Sequence, residues 1–303
     1  MKLFSGSANR PLAVKVAKAL KMKLSPVDIH IFPDGERRIQ IPEKVVDEHC
    51  VVIQSASTPV DTNYMELFFI VDALKRSGAE FVTAVVPYFG YQRQDHVFRD
   101  GEAVSLEVMI KMLESVGVDK VISFDMHSIR IPDLFHIPVT HLSALPVFAQ
   151  KIQDKFSDLS DTILVSPDDG GIARVKKLSE LLGNMPYAVI GKNRDLVTGA
   201  ITSEGIESGN VKGKKRALII DDMISSGGTM IVAANTLKEQ GIKEIYVFAT
   251  HPVFSIDGPS KLQTSSIKKL FVTNTVFVPS DKMFGKLRQL SIADLIAAEL
   301  KEL

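Results

Sequence analysis

Short apolar runs alternate with amphipathic stretches along all 303 residues of the chain. The apolar runs predict strands at 51–55, 82–87, 120–125, 162–166, 186–190, 216–221, 244–250 and 275–278. The amphipathic stretches predict helices at 11–20, 62–77, 104–116, 171–182 and 229–240. Strands that alternate with helices favour parallel sheets with crossover helices on both faces. The predicted fold class is therefore α/β.

The length of the chain predicts two domains, because a domain usually holds about 100–200 residues. We expect the joint between Leu142 and the helix that follows, which gives an N-terminal domain at 1–145 and a C-terminal domain at 146–303. The end of the chain, 289–303, has the pattern of an amphipathic helix, and this helix could also pack on the N-terminal domain. Four glycines follow predicted helices, at the position where a left-handed cap residue is expected: Gly78, Gly117, Gly183 and Gly241.

Charge and cysteine content restrict the classes of partner. Lys plus Arg number 36 and Asp plus Glu number 36, so the formal net charge is zero. A protein that binds nucleic acid or an anionic membrane normally has an excess of basic residues, so neither partner is expected. The single cysteine, Cys50, excludes an internal disulfide and fits a small core residue in a reducing compartment. No stretch reaches the roughly 18–20 apolar residues of a membrane span. We expect a cytoplasmic protein.

The segment with the strongest chemical signal runs from Ala217 to Thr229. An apolar strand brings two carboxylates, Asp221 and Asp222, to its carboxyl end, where open α/β sheets bind ligands. A loop then opens onto a predicted helix, and its residues are Ser225, Ser226, Gly227, Gly228 and Thr229. Hydroxyl groups, unpaired N–H groups and the helix dipole make such a loop an anion site. The carboxylates could accept hydrogen bonds from sugar hydroxyls or hold a metal.

This segment resembles the phosphoribosyl pyrophosphate loop of type I phosphoribosyltransferases and of ribose-phosphate pyrophosphokinases. Five further segments resemble the pyrophosphokinases and follow the order of that family: Phe32–Arg37, Pro87–Asp95, Phe124–His127, Val165–Gly171 and Val189–Arg194. The resemblance covers nearly the whole chain. It implies two phosphoribosyltransferase-like domains, each a mostly parallel sheet with helices on both faces. The active site would lie between them, with a neighbouring subunit completing the ATP site.

The resemblance also implies roles for individual residues. ATP contacts are implied at Phe32, Asp34, Gly35, Glu36, Arg93, Gln94 and Asp95. Mg²⁺ would be held by His127 and Asp168, and the ribose 5-phosphate by Asp221, Asp222, Ser225 to Thr229 and Arg194. Lys192 and Arg194 are the implied catalytic cations.

The chain departs from the family pattern at Ser225, where many bacterial relatives have Asp and others also have Ser, and in two further places. The loop after Asp95 is less basic than in many relatives, which leaves Arg99 as its best catalytic candidate. His136 and Thr140 stand where some relatives carry further acids, so a metal site proposed there for relatives is not transferred.

The implied reaction moves the pyrophosphoryl group of Mg²⁺-ATP to the C1 hydroxyl of ribose 5-phosphate. The products are phosphoribosyl pyrophosphate and AMP, and the expected assembly is a homo-oligomer, either a dimer or a hexamer of dimers. Two alternatives stay open: a phosphoribosyltransferase that acts on a base, and a silent regulatory relative. The first would not need the segments at 32–36 and 93–95, and retention of His127, Asp168, Lys192 and Arg194 disfavours the second.

Overall fold

The structure is a computed structural model that describes residues 1–194 and 201–303, without the side chains at 192–194 and 201–204. Its strands are β1 (Lys2–Ser5), β2 (Asp28–Ile31), β3 (Arg37–Gln40), β4 (His49–Ile53), β5 (Phe81–Val85), β6 (Lys120–Phe124), β7 (Val139–Leu142), β8 (Thr162–Ser166), β9 (Tyr187–Arg194), β10 (Ile201–Ser208), β11 (Arg216–Ile224), β12 (Glu244–Pro252), β13 (Lys269–Thr273) and β14 (Leu287–Leu290). Its α-helices are α1 (Arg10–Leu20), α2 (Val60–Arg76), α3 (Ser105–Ser115), α4 (Leu145–Lys155), α5 (Ile172–Leu181), α6 (Gly228–Glu239), α7 (Gly258–Thr264) and α8 (Ala293–Lys301).

The first of two compact units comprises Met1–Leu142, Thr275–Phe277 and Ile292–Leu303. Its sheet has the order β1-β4-β5-β6-β7, and every pair of neighbouring strands is parallel. The apolar runs of β4 and β5 are almost completely buried, as expected for central parallel strands covered on both faces. A separate antiparallel hairpin, β2–β3, lies outside this sheet, and α8 packs against α1.

The second unit comprises Ser143–Asn274 and Val278–Ser291. Its sheet has the order β10-β9-β8-β11-β12-β13-β14 and is parallel except for the antiparallel pair β9–β10. In both units the carboxyl ends of the parallel strands share one edge of the sheet. His127 follows β6, Asp168 follows β8 and the loop from Ser225 follows β11, whereas Asp221 and Asp222 lie within β11 near its end.

The predicted α/β class with mostly parallel sheets is confirmed. Five predicted helices correspond to α1, α2, α3, α5 and α6, and the four glycines predicted as caps all have positive φ. The strand predicted at 275–278 is wrong. The carbonyl of Thr275 accepts hydrogen bonds from the side chains of Asn9 and Ser55 instead of joining a sheet ladder.

Cys50 lies buried in β4, where burial raises the pKa of its thiol to about 11. A thiol with so high a pKa is almost entirely protonated at neutral pH, which fits a core residue and not a nucleophile. Within the described ranges, none of the helices combines the length and the apolar character needed to cross a bilayer.

Candidate active site

Two adjacent carboxylates project from β11 in the second unit. The guanidinium of Arg174, on α5, lies against both: Nη1 is 3.2 Å from Asp221 Oδ1 and Nη2 is 3.8 Å from Asp222 Oδ1. The backbone N–H of Asp222 donates to the same Asp221 oxygen at 2.9 Å. Burial, followed by the neighbouring carboxylate of Asp222, raises the pKa of Asp221 well above its usual range, while Arg174 opposes that rise. The guanidinium of Arg174 therefore contacts both carboxylates of this acidic pair.

The loop after β11 forms the amino-terminal end of α6. Gly227 has a φ of 79° at the N-cap, and an added Cβ would lie 2.8 Å from the side chain of Leu262. Glycine is therefore required there for both the backbone conformation and the space. On the other side of the loop, the carbonyl of Ser225 accepts from the Ser255 N–H at 3.2 Å. A fixed loop that opens a twelve-residue helix leaves first-turn N–H groups without intrahelical acceptors, as an anion site requires.

Asp168 follows β8 in the same unit. Its backbone carbonyl accepts from Ser166 Oγ at 2.6 Å and from the Gly171 N–H at 3.4 Å, which fixes the turn before α5. Asp168 also contributes to the raised pKa of Asp221, because its negative charge disfavours a second charge there. Carboxylate oxygens suit Mg²⁺, which usually takes one or two of them and completes its shell with water and substrate phosphates. The imidazole of His127 is a less usual donor for this hard ion.

Among the described residues there is no group of three or more His, Cys, Asp or Glu side chains arranged to hold a metal ion. Lys192 and Arg194 stand two residues apart near the end of β9, where Lys192 pairs with Ser203 of β10. Their side chains lie outside the described part of the structure, so their predicted catalytic roles stay predictions.

In the first unit the segment Phe32–Glu36 forms the turn of the β2–β3 hairpin. The Phe32 N–H donates to the Glu36 carbonyl at 2.8 Å, and the Asp34 carboxylate accepts from the Glu36 N–H at 3.1 Å. Gly35 has a φ of 93°, which closes the turn. Phe32 is 38% exposed, and its ring packs edge-to-face on His30. The turn therefore presents an aromatic surface and carboxylates to an incoming group.

A buried carboxylate, Glu66 of α2, anchors this hairpin. Its Oε2 accepts from Arg37 Nη1 at 2.7 Å and from Ser7 Oγ at 2.9 Å, and its Oε1 accepts from Gln54 Nε2 at 3.0 Å. Because Arg37 directly follows the turn, its charge-assisted bond to a fully buried partner holds the end of the turn against α2. Neither Arg37 nor Glu66 was assigned a role from the sequence.

The loop that holds Arg93 and Gln94 starts at Tyr91, which has a positive φ of 62°. The Gln94 N–H donates to the Tyr91 carbonyl at 2.8 Å, and Asp95 Oδ1 lies 2.7 Å from His96 Nδ1. Arg93 and Gln94 are exposed, as residues that contact a ligand must be. Gln92, which lies between Tyr91 and Arg93, is buried. Its Oε1 accepts from the backbone N–H of His127 at 3.0 Å.

Residues 1–117 match the family described as the N-terminal domain of ribose phosphate pyrophosphokinase, and residues 206–303 match the phosphoribosyl synthetase-associated domain. Ribose-phosphate pyrophosphokinase 1 of Streptococcus pyogenes is 41% identical over 298 residues, covering 98% of this chain and 92% of that protein. Ribose-phosphate pyrophosphokinase 2 of Enterococcus faecalis is 38% identical over 303 residues, covering 100% of this chain and 93% of that protein. The chain belongs to the ribose-phosphate pyrophosphokinase family.

A solved structure agrees with this membership of the ribose-phosphate pyrophosphokinases. The phosphoribosylpyrophosphate synthetase of Mycobacterium smegmatis has a TM-score of 0.92 and 35% identity, covering 99% of this chain and 97% of that one. The two phosphoribosyltransferase-like α/β domains expected from the sequence are thereby confirmed. The resemblance stated from the motifs is confirmed as well.

Within each unit the structure brings together predicted site residues of this pyrophosphokinase that are distant in the sequence. Asp168, Asp221 and Asp222 interact in the second unit, and the Arg93–Asp95 loop is joined to the His127 segment in the first. Sequence reasoning missed Arg174, Arg37, Glu66 and Gln92. The residues Ile172-Ala-Arg174 were read only as the start of a helix, because a lone arginine on a helix has no motif to distinguish it from a surface cation.

Proposed function

We propose that this protein is an active ribose-phosphate pyrophosphokinase that uses Mg²⁺-ATP and ribose 5-phosphate. The observation that carries the proposal is the β11–α6 connection, where a largely buried acidic pair stands two residues before a loop suited to bind an anion. A ribose 5-phosphate molecule needs both features, because its hydroxyls require acceptors and its phosphate requires donors. Family matches along nearly the whole chain support the same reaction.

In the proposed reaction the C1 hydroxyl oxygen attacks the β-phosphorus of ATP. The bond from that phosphorus to the oxygen it shares with the α-phosphorus breaks, the C1 hydroxyl loses its proton, and AMP leaves. Catalysis of such a transfer consists mainly of positioning and of stabilising the charge on the transferring group. Mg²⁺ would neutralise phosphate charge when bound, with His127 and Asp168 as its proposed protein contacts.

The other residues are assigned to substrates. Residues Ser225 to Thr229 bind the 5-phosphate, and Asp221 and Asp222 accept from the ribose hydroxyls. Lys192 and Arg194 supply positive charge to the transferring group. The turn Phe32–Glu36 receives the adenine, and Arg93, Gln94 and Asp95 contact the rest of the nucleotide.

One assay separates this function from its alternatives. Purified protein with Mg²⁺, ATP and ribose 5-phosphate should form AMP and the pyrophosphorylated sugar in equal amounts. A base phosphoribosyltransferase would make no AMP from ATP, and a silent regulatory relative would form neither product. Absence of AMP under these conditions would exclude the proposal.

Replacing Arg37 by methionine should raise the KM for ATP about 10-fold and change kcat by no more than about 3-fold. The reason is that the Arg37–Glu66 ion pair positions a segment that binds ATP and does not position the reacting atoms. Glu66 keeps its bonds from Ser7 and Gln54, so the free energy of unfolding should fall by only about 1–3 kcal/mol.

Arg38→Met is the matched control for Arg37→Met, because Arg38 is the next residue of the hairpin and is exposed. The control should leave the KM for ATP and the unfolding curve unchanged. An equal change of the KM in both variants would mean that the Arg37–Glu66 pair does not position the turn.

We also propose that the protein is a cytoplasmic homo-oligomer in which the turn around Phe32 serves the site of a neighbouring subunit. Phe32→Ala and Lys192→Ala subunits should each be nearly inactive, and mixing them should restore part of the activity. Mixed oligomers would contain some active sites in which both the Phe32 turn and the Lys192 segment are wild type. If subunit exchange is demonstrated and no activity returns, each chain must build its own adenine site.

A further inference from the structure

A strained turn follows β6, at residues Asp125, Met126 and His127. Asp125 has a φ of 31°, a value that residues other than glycine rarely adopt. Such a conformation persists only where its surroundings hold it. Here the backbone N–H groups of the three residues donate to Leu142 O at 2.9 Å, His141 Nε2 at 2.8 Å and Gln92 Oε1 at 3.0 Å. Two of the three acceptors are therefore side chains.

Gln92 accepts the bond from His127 at a buried position. Only 1% of it is exposed. Because the His127 N–H is a donor, the amide of Gln92 must present its oxygen to it, and this fixes the orientation of the amide. The Nε2 atom is then buried with no hydrogen-bond partner in the part of the chain that the structure describes.

An unpaired buried donor destabilises the fold, and an apolar side chain of the same shape would avoid that cost. Stability of this conformation therefore does not account for a glutamine at this position. What the glutamine adds over an apolar residue is the acceptor for His127.

The hydrogen bond from the His127 N–H to Gln92 Oε1 connects two parts of the first unit. Gln92 lies in the same loop as the next two residues, Arg93 and Gln94, which are assigned to ATP, and His127 is assigned to Mg²⁺-ATP. The bond thus joins two nucleotide-binding segments that are 35 residues apart in the sequence, both within the first unit.

We propose that Gln92 is a positioning residue for Mg²⁺-ATP, acting through the backbone of His127. It sets the placement of His127 relative to Arg93 and Gln94, and it touches neither substrate. This inference rests on the proposed function, because it requires His127 to contact the bound nucleotide. Small displacements of a ligand-contacting group weaken binding strongly, so the loss of this one bond should be measurable.

The test compares wild type with Gln92→Met, a side chain of similar length that lacks the amide. Calorimetric titration should show Mg²⁺-ATP binding weakened about 10-fold, which corresponds to about 1.4 kcal/mol. Binding of ribose 5-phosphate should be unchanged, because its assigned residues lie in the second unit. The melting temperature should be unchanged or higher, because the unpaired Nε2 is gone. Gln153→Met, an exposed glutamine of α4, is the control and should change none of these values.

A double-mutant cycle with His127→Ala decides whether Gln92 acts through His127. If it does, Gln92→Met should weaken Mg²⁺-ATP binding in the wild type and have no further effect in the His127→Ala background. Additive effects would overturn the inference. Unchanged ATP affinity with a lowered melting temperature would also overturn it, because Gln92 would then be a core residue.

Gln92→Ala provides a second variant if the methionine does not fit. Failure of both variants to fold would assign Gln92 a purely structural role and end the proposal. If wild type itself does not bind Mg²⁺-ATP, the proposed function fails first. The two failures are therefore distinguishable.

Discussion

Replacing Lys192 by alanine is expected to lower kcat by about 100-fold or more while the KM for ATP stays within about 3-fold. Lys192 lies near the end of β9, two residues before Arg194, in the segment that resembles the strand-end Lys-x-Arg of the family. A cation that acts mainly on charge developing in the transferring group contributes to the transition state more than to the bound substrate. The measurement is steady-state AMP formation at varied ATP and saturating ribose 5-phosphate.

Lys177→Ala is the control for the Lys192 experiment, because Lys177 is an exposed lysine of α5 in the same unit. It should retain wild-type kcat and KM. Near wild-type turnover in Lys192→Ala would make Lys192 a surface cation. A rise in KM without a change in kcat would make it a ground-state contact.

Replacing Arg174 by methionine is expected to lower the free energy of unfolding by about 2–4 kcal/mol at neutral pH. Asp221 and Asp222 would remain side by side with little exposure and without the guanidinium of Arg174, and removing one partner from a largely buried ion pair is costly. Binding of ribose 5-phosphate should weaken as well, because the two carboxylates that we propose to accept from its hydroxyls would lose their fixed positions. Urea unfolding and calorimetric titration measure the two effects.

The loss of stability in Arg174→Met should depend on pH. The pKa of Asp221 is already raised by burial and by Asp222, and removal of Arg174 raises it further. A carboxyl whose pKa is higher in the folded than in the unfolded state destabilises the fold above its unfolded pKa, which is about 4. The deficit relative to wild type should therefore be largest at pH 8, smaller at pH 5, and shrink further toward pH 4.

Metal-free buffer with a chelator keeps bound Mg²⁺ from replacing the lost charge in these unfolding experiments. Lys177→Met, on the same helix and exposed, should show no pH-dependent loss. A loss in Arg174→Met that is equal at pH 5 and pH 8 would mean that packing of the arginine side chain, and not its charge, stabilises the acidic pair.

Much of the fold could be predicted because its elements have strong local signals. The amphipathic pattern of 62–77 gives α2, and the apolar run of 162–166 gives β8 at the same residues. The β2–β3 hairpin gave no such signal, since its residues are mostly polar and exposed and are held partly by the distant Glu66. The run at 275–278 had the composition of a strand, but the structure uses the carbonyl of Thr275 to accept from Asn9 and Ser55.

The sequence by itself determined the α/β class, the family and the motifs, because these depend on residues that are neighbours in the chain. A strand, its terminal carboxylates and the glycine loop after it are all contained in the residues from Ala217 to Thr229. Only the tertiary structure decided which side chains hold those motifs in place. Arg174 is 47 residues from Asp221, Arg37 is 29 residues from Glu66, and Gln92 is 35 residues from His127. Hydrogen bonds of about 3 Å between such distant residues depend on how separate helices, strands and loops pack together, and no local pattern encodes them.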